Sequence, residues 1–240
     1  MKKIVFLWIN LILWSVISNA YAGALDISPT HLSLSQDQPV DVLTVKNISD
    51  ASMLIQVQTD AWTQQGNDSI TQPTDDILVT PPIFRLPPGQ SQIIRLALQN
   101  DLGNLTQQKT YRIFLKEVVP KVHAHNSNAH LDQLKIALNI SIPLFIQPEE
   151  AHQQFVWIAQ PMPNNQLKVI LKNTGNITIF TDQWQLFNAQ KKPLSEKFKA
   201  FAYILPQQQY SWMIRTKNGN VPTVVKADIN GLMISAPAKL

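Results

Sequence analysis

The side chains best suited to chemistry in this sequence are three histidines, His123, His125 and His130, which lie close together in a polar stretch. Imidazole is a common ligand of zinc and copper, so the cluster could hold a metal ion. However, neither a cysteine nor a carboxylate accompanies His123 and His125. A loop is the simpler interpretation, and the sequence predicts no metal site.

Acidic pairs and nucleophiles provide no better basis for catalysis. Asp75-Asp76 and Glu149-Glu150 are adjacent in sequence, and adjacent residues of a strand point to opposite faces, which is poor geometry for acid–base chemistry. The chain has no cysteine, its seven glycines form no phosphate-binding loop, and no G-x-S-x-G pattern occurs. The sequence therefore predicts a protein that is not an enzyme and needs no cofactor.

The first 22 residues have the pattern of a secretory signal peptide. Lys2 and Lys3 precede an apolar run over Ile4–Ile17, and Ala20-Tyr21-Ala22 supplies the small residues of a cleavage site. A membrane anchor is the alternative, but the run is shorter than the roughly 20 residues of a spanning helix. Removal of the segment lowers the net charge from +4 to +2, since it holds two basic and no acidic residues. We expect an exported chain without a membrane span, and one with no basic patch for nucleic acid.

The remaining chain has the pattern of an all-β protein. Short runs rich in Val, Ile, Leu and Thr alternate apolar and polar residues: Val40–Val45, Met53–Thr59, Gln92–Leu98, Tyr111–Val118, Leu134–Ile146, Leu167–Leu171, Ile177–Phe180, Gln183–Phe187 and Val224–Ile229. Turn-forming residues separate them, as at Gln65-Gly66-Asn67-Asp68, and sixteen prolines disfavour long helices. We predict two tandem immunoglobulin-like β-sandwiches, residues 23–147 and 148–240.

One run differs from an ordinary sandwich strand. Leu134–Ile146 is about twice the usual strand length, and five aliphatic side chains share one of its faces. These are Leu134, Ile136, Leu138, Ile140 and Ile142. The run is either a buried core strand or a strand that lies partly along a sheet edge. An apolar edge normally templates pairing with other chains, and a protein that donates a strand to a partner would use that property.

Four stretches then resemble the PapD-like periplasmic chaperones of the chaperone–usher pathway. They are Pro81–Gly89, Ile94-Arg95-Leu96, Tyr111–Glu117 and Leu134–Pro148. The opening Ser28–Leu32 and the segment Trp62-Thr63-Gln64 are most similar to the archaic, Csu-like branch.

The resemblance implies a periplasmic chaperone that binds pilus subunits by donor-strand complementation and delivers them to an outer-membrane usher without ATP. The five aliphatic residues of Leu134–Ile146 would be the donor side chains. A self-capping dimer is one form that the unloaded chain could take. The alternative function is a secreted structural or adhesive protein of the same fold, because fold alone does not define function. A pilus subunit, however, would be expected to lack its own last strand, whereas here the long apolar strand lies in mid-chain.

The resemblance also implies a cleft that binds the C-terminal carboxylate of the pilus protein through two cations. The two family positions fall on His31 and Pro143 in this sequence, so the usual pair is absent. His31, Arg85, Arg112 and Lys116 are the candidate anchors that remain, and arginine suits bidentate contact with a carboxylate. Arg95 and Glu117 match a structural ion pair of the family, whose third member is replaced by Gln147.

Overall fold

The computed structural model describes residues 25–100, 103–119, 137–215 and 222–239, and the regular elements in these ranges are all β-strands. The first domain contains β1 (Leu25–Ser28), β2 (Leu32–Leu34), β3 (Val40–Asn47), β4 (Met53–Gln65), β5 (Asp68–Pro73), β6 (Ile77–Thr80), β7 (Ile83–Leu86), β8 (Ser91–Leu98), β9 (Lys109–Glu117) and β10 (Asn139–Ile146). The second contains β11 (Phe155–Met162), β12 (Gln166–Asn173), β13 (Ile179–Phe187), β14 (Phe198–Ile204), β15 (Gln209–Arg215), β16 (Val224–Ile229) and β17 (Leu232–Lys239). The all-β prediction is confirmed.

The first domain is a sandwich of two sheets. One sheet has the order β1-β3-β8-β6 and the other β2-β10-β9-β4-β5, with β7 also paired to β4. Because side chains alternate along a strand, Leu43 and Val45 of β3 and Ile94 and Leu96 of β8 are buried between the sheets. Arg95, between the latter two, is exposed on the outer face.

The second domain has one continuous set of seven strands, in the order β14-β13-β16-β17-β11-β12-β15. β17 pairs with β16 in antiparallel fashion, and its last residues pair in parallel with Trp157 and Ile158 of β11. This switch carries the sheet around a core in which the rings of Trp157 and Trp184 lie 6.0 Å apart. The two cores are separate, and the predicted boundary after Gln147 lies between their nearest buried members, Ile146 and Trp157.

Most predicted strands match the observed ones to within two residues. β10 is a strand over Asn139–Ile146, within the predicted run Leu134–Ile146, part of which lies outside the described residues. β4 and β13 also differ by more than two residues from their predicted runs. The run predicted over Met53–Thr59 continues to Gln65, because its polar end forms a hairpin with β5. The turn predicted at Gln65–Asp68 closes that hairpin. In the second domain, the two runs predicted over Ile177–Phe180 and Gln183–Phe187 are one strand, β13, with an irregularity after Thr181. A bulge of this kind interrupts the alternation of apolar residues, so the sequence pattern divides the strand.

A buried asparagine ends β3 in the first domain. The Asn47 side chain is fully buried, and its Nδ2 donates to the carbonyls of Ala51 and Leu86 at 2.7 and 2.9 Å. Its Oδ1 accepts the backbone N–H of Ser49 at 2.9 Å. The amide therefore joins the turn after β3 to the end of β7, and all its polar groups are satisfied inside the core.

Asn173 repeats this arrangement at the end of β12. It too is fully buried, and its Nδ2 donates to the carbonyls of Ile177 and Ile204 at 2.7 and 2.9 Å, while its Oδ1 accepts from the N–H of Gly175 at 3.0 Å. Residues 45–49 (VKNIS) and residues 171–175 (LKNTG) are also weakly similar in sequence. The two segments form the same hydrogen-bonded motif, once in each domain.

Replacement of either asparagine should destabilise its own domain. We expect Asn173→Ala to lower the free energy of unfolding by about 2–3 kcal/mol, because two carbonyls and one N–H lose their partner in a buried position. Chemical denaturation followed by circular dichroism measures the change. Asn100→Ala, at an exposed position after β8, is the control and should have an effect within about 0.5 kcal/mol. Equal stability of the Asn173→Ala and Asn100→Ala variants would contradict a structural role for the buried amide.

Candidate functional site

Strand β10 has a neighbour along its whole length on one side only. It pairs with β9 from Asn139 to Ile146, but the short strand β2 pairs only with Leu144, Phe145 and Ile146. Among the described residues, the half from Asn139 to Pro143 therefore has an open edge. An open edge exposes main-chain donors and acceptors that another strand can bind.

Hydrogen bonds at the two ends of β10 identify the groups that face this edge. The N–H of Glu117 in β9 donates to the carbonyl of Leu138 at 2.8 Å, whereas the N–H of Gln147 donates away from β9, to Leu34, at 2.8 Å. Since the direction alternates along an antiparallel strand, even-numbered residues of β10 bond to β9 and odd-numbered ones face outwards.

The open edge therefore carries the N–H and C=O groups of Asn139 and Ser141 and the C=O of Pro143. Proline has no N–H, and here the missing donor faces the open edge rather than β9. Pro143 thus occupies β10 without the loss of a hydrogen bond to β9, as is typical of prolines at sheet edges.

The five predicted donor side chains do not share one environment. Leu134 and Ile136 lie outside the described residues. Leu138 and Ile140 are half-buried and pack against the core of the first domain. Ile142 is only 4% exposed and belongs to that core, so its prediction as a donor side chain is wrong. The physical reason is that β10 enters the sandwich at this point, and the residues after Ile142 gain β2 as a second neighbour.

A cleft of about 710 Å³ lies beside the open edge, between the two domains. The first domain contributes His31, Arg112 and the odd-numbered face of β10, including Ser141, Pro143 and Phe145. The second domain contributes an aromatic wall that includes Phe180, Phe201 and Tyr203. The sequence pattern of β10 could have identified Phe145, which shares a face with Pro143. The aromatic wall has no local signal, because it comes from another domain.

Arg112 projects into this cleft from β9. It is the cross-strand partner of Pro143, so the two side chains lie on the same face of the sheet. Its guanidinium carbon lies 3.7 Å from the ring centroid of Trp62 and 5.0 Å from that of Tyr203. Burial lowers the pKa of Arg112, but a guanidinium remains charged at neutral pH. The aromatic contacts therefore hold a partly desolvated cation at the floor of the cleft.

The other candidate anchors are less well placed. His31 lines the cleft, and its role as an anchor stays a prediction. Arg85 is exposed on β7, and the Lys116 Nζ donates to Oε1 of Gln58 at 2.9 Å. Neither Arg85 nor Lys116 is among the residues that line the cleft, and their role as anchors stays a prediction. Lys116 points to the same face of β9 as Arg112, but it lies four residues further along the strand, which is about 13 Å away.

The predicted ion pair of Arg95 with Glu117 is also wrong. Arg95 points outwards from the first sheet, while Glu117 lies on the second sheet, and its Oε2 accepts the N–H of Leu138 at 3.2 Å. Two residues on different layers of a sandwich, one of them on an outer face, cannot reach each other through the core.

Uncharged side chains join the domains instead. The Oε1 of Gln108 accepts the N–H of Thr178 at 2.9 Å, and its Nε2 donates to Oε1 of Gln147 at 3.0 Å. The Nδ2 of Asn176 donates to the carbonyls of Thr106 and Glu150 at 3.0 and 2.7 Å. Gln108, Thr178 and Asn176 are all buried, so each polar group at the junction needs the partner that it has.

Two further sequence predictions concern sites elsewhere. His123, His125 and His130 lie outside the described residues, as does the predicted signal peptide. Within the described ranges, no group of three or more His, Cys, Asp or Glu residues is arranged to hold a metal ion. The same ranges contain no helix of the length and hydropathy needed to cross a membrane.

The fold defines the chain as a two-domain protein of immunoglobulin-like sandwiches. A comparison of the sequence with models of protein families identifies the family within this class. The model described as "Pili and flagellar-assembly chaperone, PapD N-terminal domain" matches residues 24–152, more than half of the chain. The chain therefore belongs to this family of pilus-assembly chaperones, and the predicted family is confirmed.

Curated relatives and solved structures agree with this assignment. Chaperone protein PapD of Escherichia coli is 33% identical over 92 residues, which are 37% of this chain and 35% of PapD. Chaperone protein LpfB of Salmonella typhimurium LT2 is 26% identical over 139 residues, 58% of this chain and 56% of LpfB. The chain thus spans about a third and just over half of the lengths of these relatives.

Among solved structures, a chain from the CsuC–CsuE chaperone–tip adhesion subunit pre-assembly complex of the archaic Csu pili of Acinetobacter baumannii has a TM-score of 0.67. It is 15% identical, and the match covers 90% of this chain and 98% of that one. The E. coli chaperone DraB has a TM-score of 0.60 at 20% identity, with coverage of 90% and 97%. At these identities the likeness shows the fold, which is the predicted one.

Loss of the Gln108 side chain should weaken the coupling between the two domains. We expect Gln108→Ala to destabilise the protein by about 1–3 kcal/mol, because buried groups of Thr178 lose their acceptor. Differential scanning calorimetry should show a broader transition or two transitions, as the domains begin to unfold separately. Gln99→Ala, an exposed glutamine after β8, should keep the parental profile. Identical thermograms for both variants would argue against a coupling role for Gln108.

Proposed function

We propose that this protein is a periplasmic chaperone that binds and stabilises pilus subunits by donation of the β10 edge, without ATP, and passes them to an outer-membrane usher. The observation that carries the proposal is the open half of β10, where outward main-chain groups of Asn139 and Ser141 lie next to the half-buried Leu138 and Ile140. The predicted signal peptide supports export to the periplasm. The fold similarity to a chain of the archaic Csu assembly supports membership of that branch.

Strand addition to this edge would use two kinds of interaction. Main-chain groups of Asn139 and Ser141 would continue the hydrogen-bond ladder into the pilus protein, and alternate side chains would fill apolar pockets. We assign the second role to Leu134, Ile136, Leu138 and Ile140. Each buried aliphatic side chain contributes roughly 1.5–3 kcal/mol, part of which is offset by the loss of freedom on association. A pilus protein that lacks a strand could gain enough from several such contacts to remain folded.

The proposed donor role can be tested with a charged residue in the row. We expect Leu138→Lys or Ile136→Lys to abolish co-purification of a pilus protein that is expressed together with this chain in the periplasm. The reason is that burial of an unpaired ammonium group in an apolar pocket is unfavourable. The test partner would be a small immunoglobulin-like pilus protein of the chaperone–usher type.

The matched control is Leu232→Lys, at a leucine of β17 that is 69% exposed, and it should retain the bound partner. Circular dichroism should show that all three variants are folded. Undiminished capture by Leu138→Lys and Ile136→Lys would refute donation by this row. Self-assembly of the chain into fibres, with no pilus protein bound, would instead favour the structural or adhesive alternative.

Arg112 is the residue that we propose as the carboxylate anchor. Pro143 stands where the family pattern expects a lysine, and Arg112 lies directly across from it on the same face. A guanidinium at this place would supply the missing positive charge to the same cleft, and could bind a carboxylate in bidentate fashion. His31 lies in the same cleft and is a second, weaker donor in this proposal.

The anchor predicts a specific loss of affinity. We expect Arg112→Gln to weaken binding of the pilus protein roughly tenfold to a hundredfold, since a hydrogen bond to a charged group contributes about 1.5–3 kcal/mol. Arg112→Lys should retain part of the affinity because it keeps the charge. Competition between chaperone variants for one pilus protein measures the ratio, and Arg85→Gln on the exposed face of β7 is the control.

A double-mutant cycle separates anchoring from a general effect on the cleft. Removal of the last residue of the pilus protein displaces its carboxylate, so this change and Arg112→Gln should be non-additive if the two groups interact. Full additivity would assign the carboxylate to another partner while leaving the donor-strand proposal intact.

A further inference from the structure

The hairpin formed by β4 and β5 extends beyond the sandwich of the first domain. β4 pairs with β9 only from Ile55 to Ala61, and its last residues, Asp60–Gln65, pair with β5. Gly66 and Asn67 form the tip, where Gly66 adopts a φ of 60°, a conformation that glycine takes without strain. A hairpin with no sandwich on either side of its tip needs another surface to hold it in one position.

The tip meets β15, a strand at the edge of the second domain. Among the described strands, β15 pairs with β12 on one side only, and the main-chain groups of Ser211 on its other side face the hairpin. The Nδ2 of Asn67 donates to the carbonyl of Ser211 at 2.8 Å, and the N–H of Ser211 donates to Oδ1 of Asn67 at 2.8 Å. This reciprocal pair reproduces, with one side chain, the two hydrogen bonds that a residue of a neighbouring antiparallel strand would make.

Two more residues of the same hairpin contact the second domain. The Oε1 of Gln64 accepts the N–H of Leu205 at 2.9 Å. The ring of Trp62 packs edge-to-face on Tyr203, with centroids 5.4 Å apart and an interplanar angle of 84°. Tyr203 is also the residue of the second domain that lies 5.0 Å from the Arg112 guanidinium carbon. The hairpin thus touches the element that forms the far wall of the cleft.

We propose that the β4–β5 hairpin is a clamp that sets the position of the second domain, and that Asn67 is its main positioning residue. Three contacts spaced along one hairpin constrain both the distance and the rotation between the domains, which a single contact could not do. The clamp acts through neutral groups, as does the junction around Gln108. The clamp proposal concerns the geometry of the cleft and not the ligand that the cleft binds. Its test is therefore independent of the proposed chaperone function.

The absence of cysteine from the sequence makes this proposal directly measurable. Spin labels on Ser91→Cys in β8 and Lys226→Cys in β16, both exposed, report the distance between the domains by pulsed electron paramagnetic resonance. In the full mature chain, we expect Asn67→Ala to broaden the distance distribution and shift its mean. Asn67→Asp keeps the acceptor for the N–H of Ser211 but loses the donor, and should give an intermediate result.

Asn100→Ala is the matched control and should leave the distribution unchanged. Amide hydrogen exchange by NMR gives a second readout: the N–H of Ser211 should exchange faster in Asn67→Ala, and the N–H of Leu205 faster in Gln64→Ala. Gln64→Ala also tests the clamp if Asn67→Ala does not fold. A distribution in Asn67→Ala that superimposes on that of the parent, or an equal broadening in Asn100→Ala, would overturn the proposal.

Discussion

Half of strand β10 has main-chain hydrogen-bonding groups at an open edge of the sheet. The cleft between the domains lies beside this edge, and side chains of the same strand line it. Such an edge favours pairing with any available strand, and soluble proteins normally cover it. In this protein β2 covers only the last three residues of β10, while Pro143 occupies an outward position where its missing N–H disturbs no existing bond. The odd-numbered side chains of the same strand form the floor of a cleft. One strand therefore contributes main-chain groups to an edge and side chains to a cavity.

The junction between the domains depends on neutral hydrogen bonds rather than on charge. Gln108, Asn176 and Asn67 connect the two halves through amide groups, which are not weakened by salt as surface ion pairs are. This leaves Arg112 as a cation held by aromatic rings, with burial lowering its pKa and with no acidic residue among those that line the cleft in the described part of the chain. A guanidinium that lines the cleft is suited to bind an anionic group of a partner.

Sequence periodicity predicted the fold well where burial follows the period of a strand. β16 has the predicted limits, and the turn at Gln65–Asp68 closes the predicted hairpin. The similarity of residues 45–49 to residues 171–175 indicated a repeated structure, which is the buried asparagine motif. β13 was divided in two by the pattern because a bulge shifts the register, and such a shift depends on pairing with β14 rather than on local sequence. The extension of β4 depends in the same way on its partner strand.

For the candidate site, the order of residues along the chain was enough to predict the family, the alternation of β10 and the absence of the usual cation at Pro143. It was not enough to predict which aliphatic residues of β10 enter its own core, since the burial of Ile142 depends on where the strand meets its neighbours. Packing also places Arg112 in the cleft rather than Arg85 or Lys116, and it puts Arg95 and Glu117 on different layers. A strand pattern defines two faces, but segments that are distant in sequence set what covers each face.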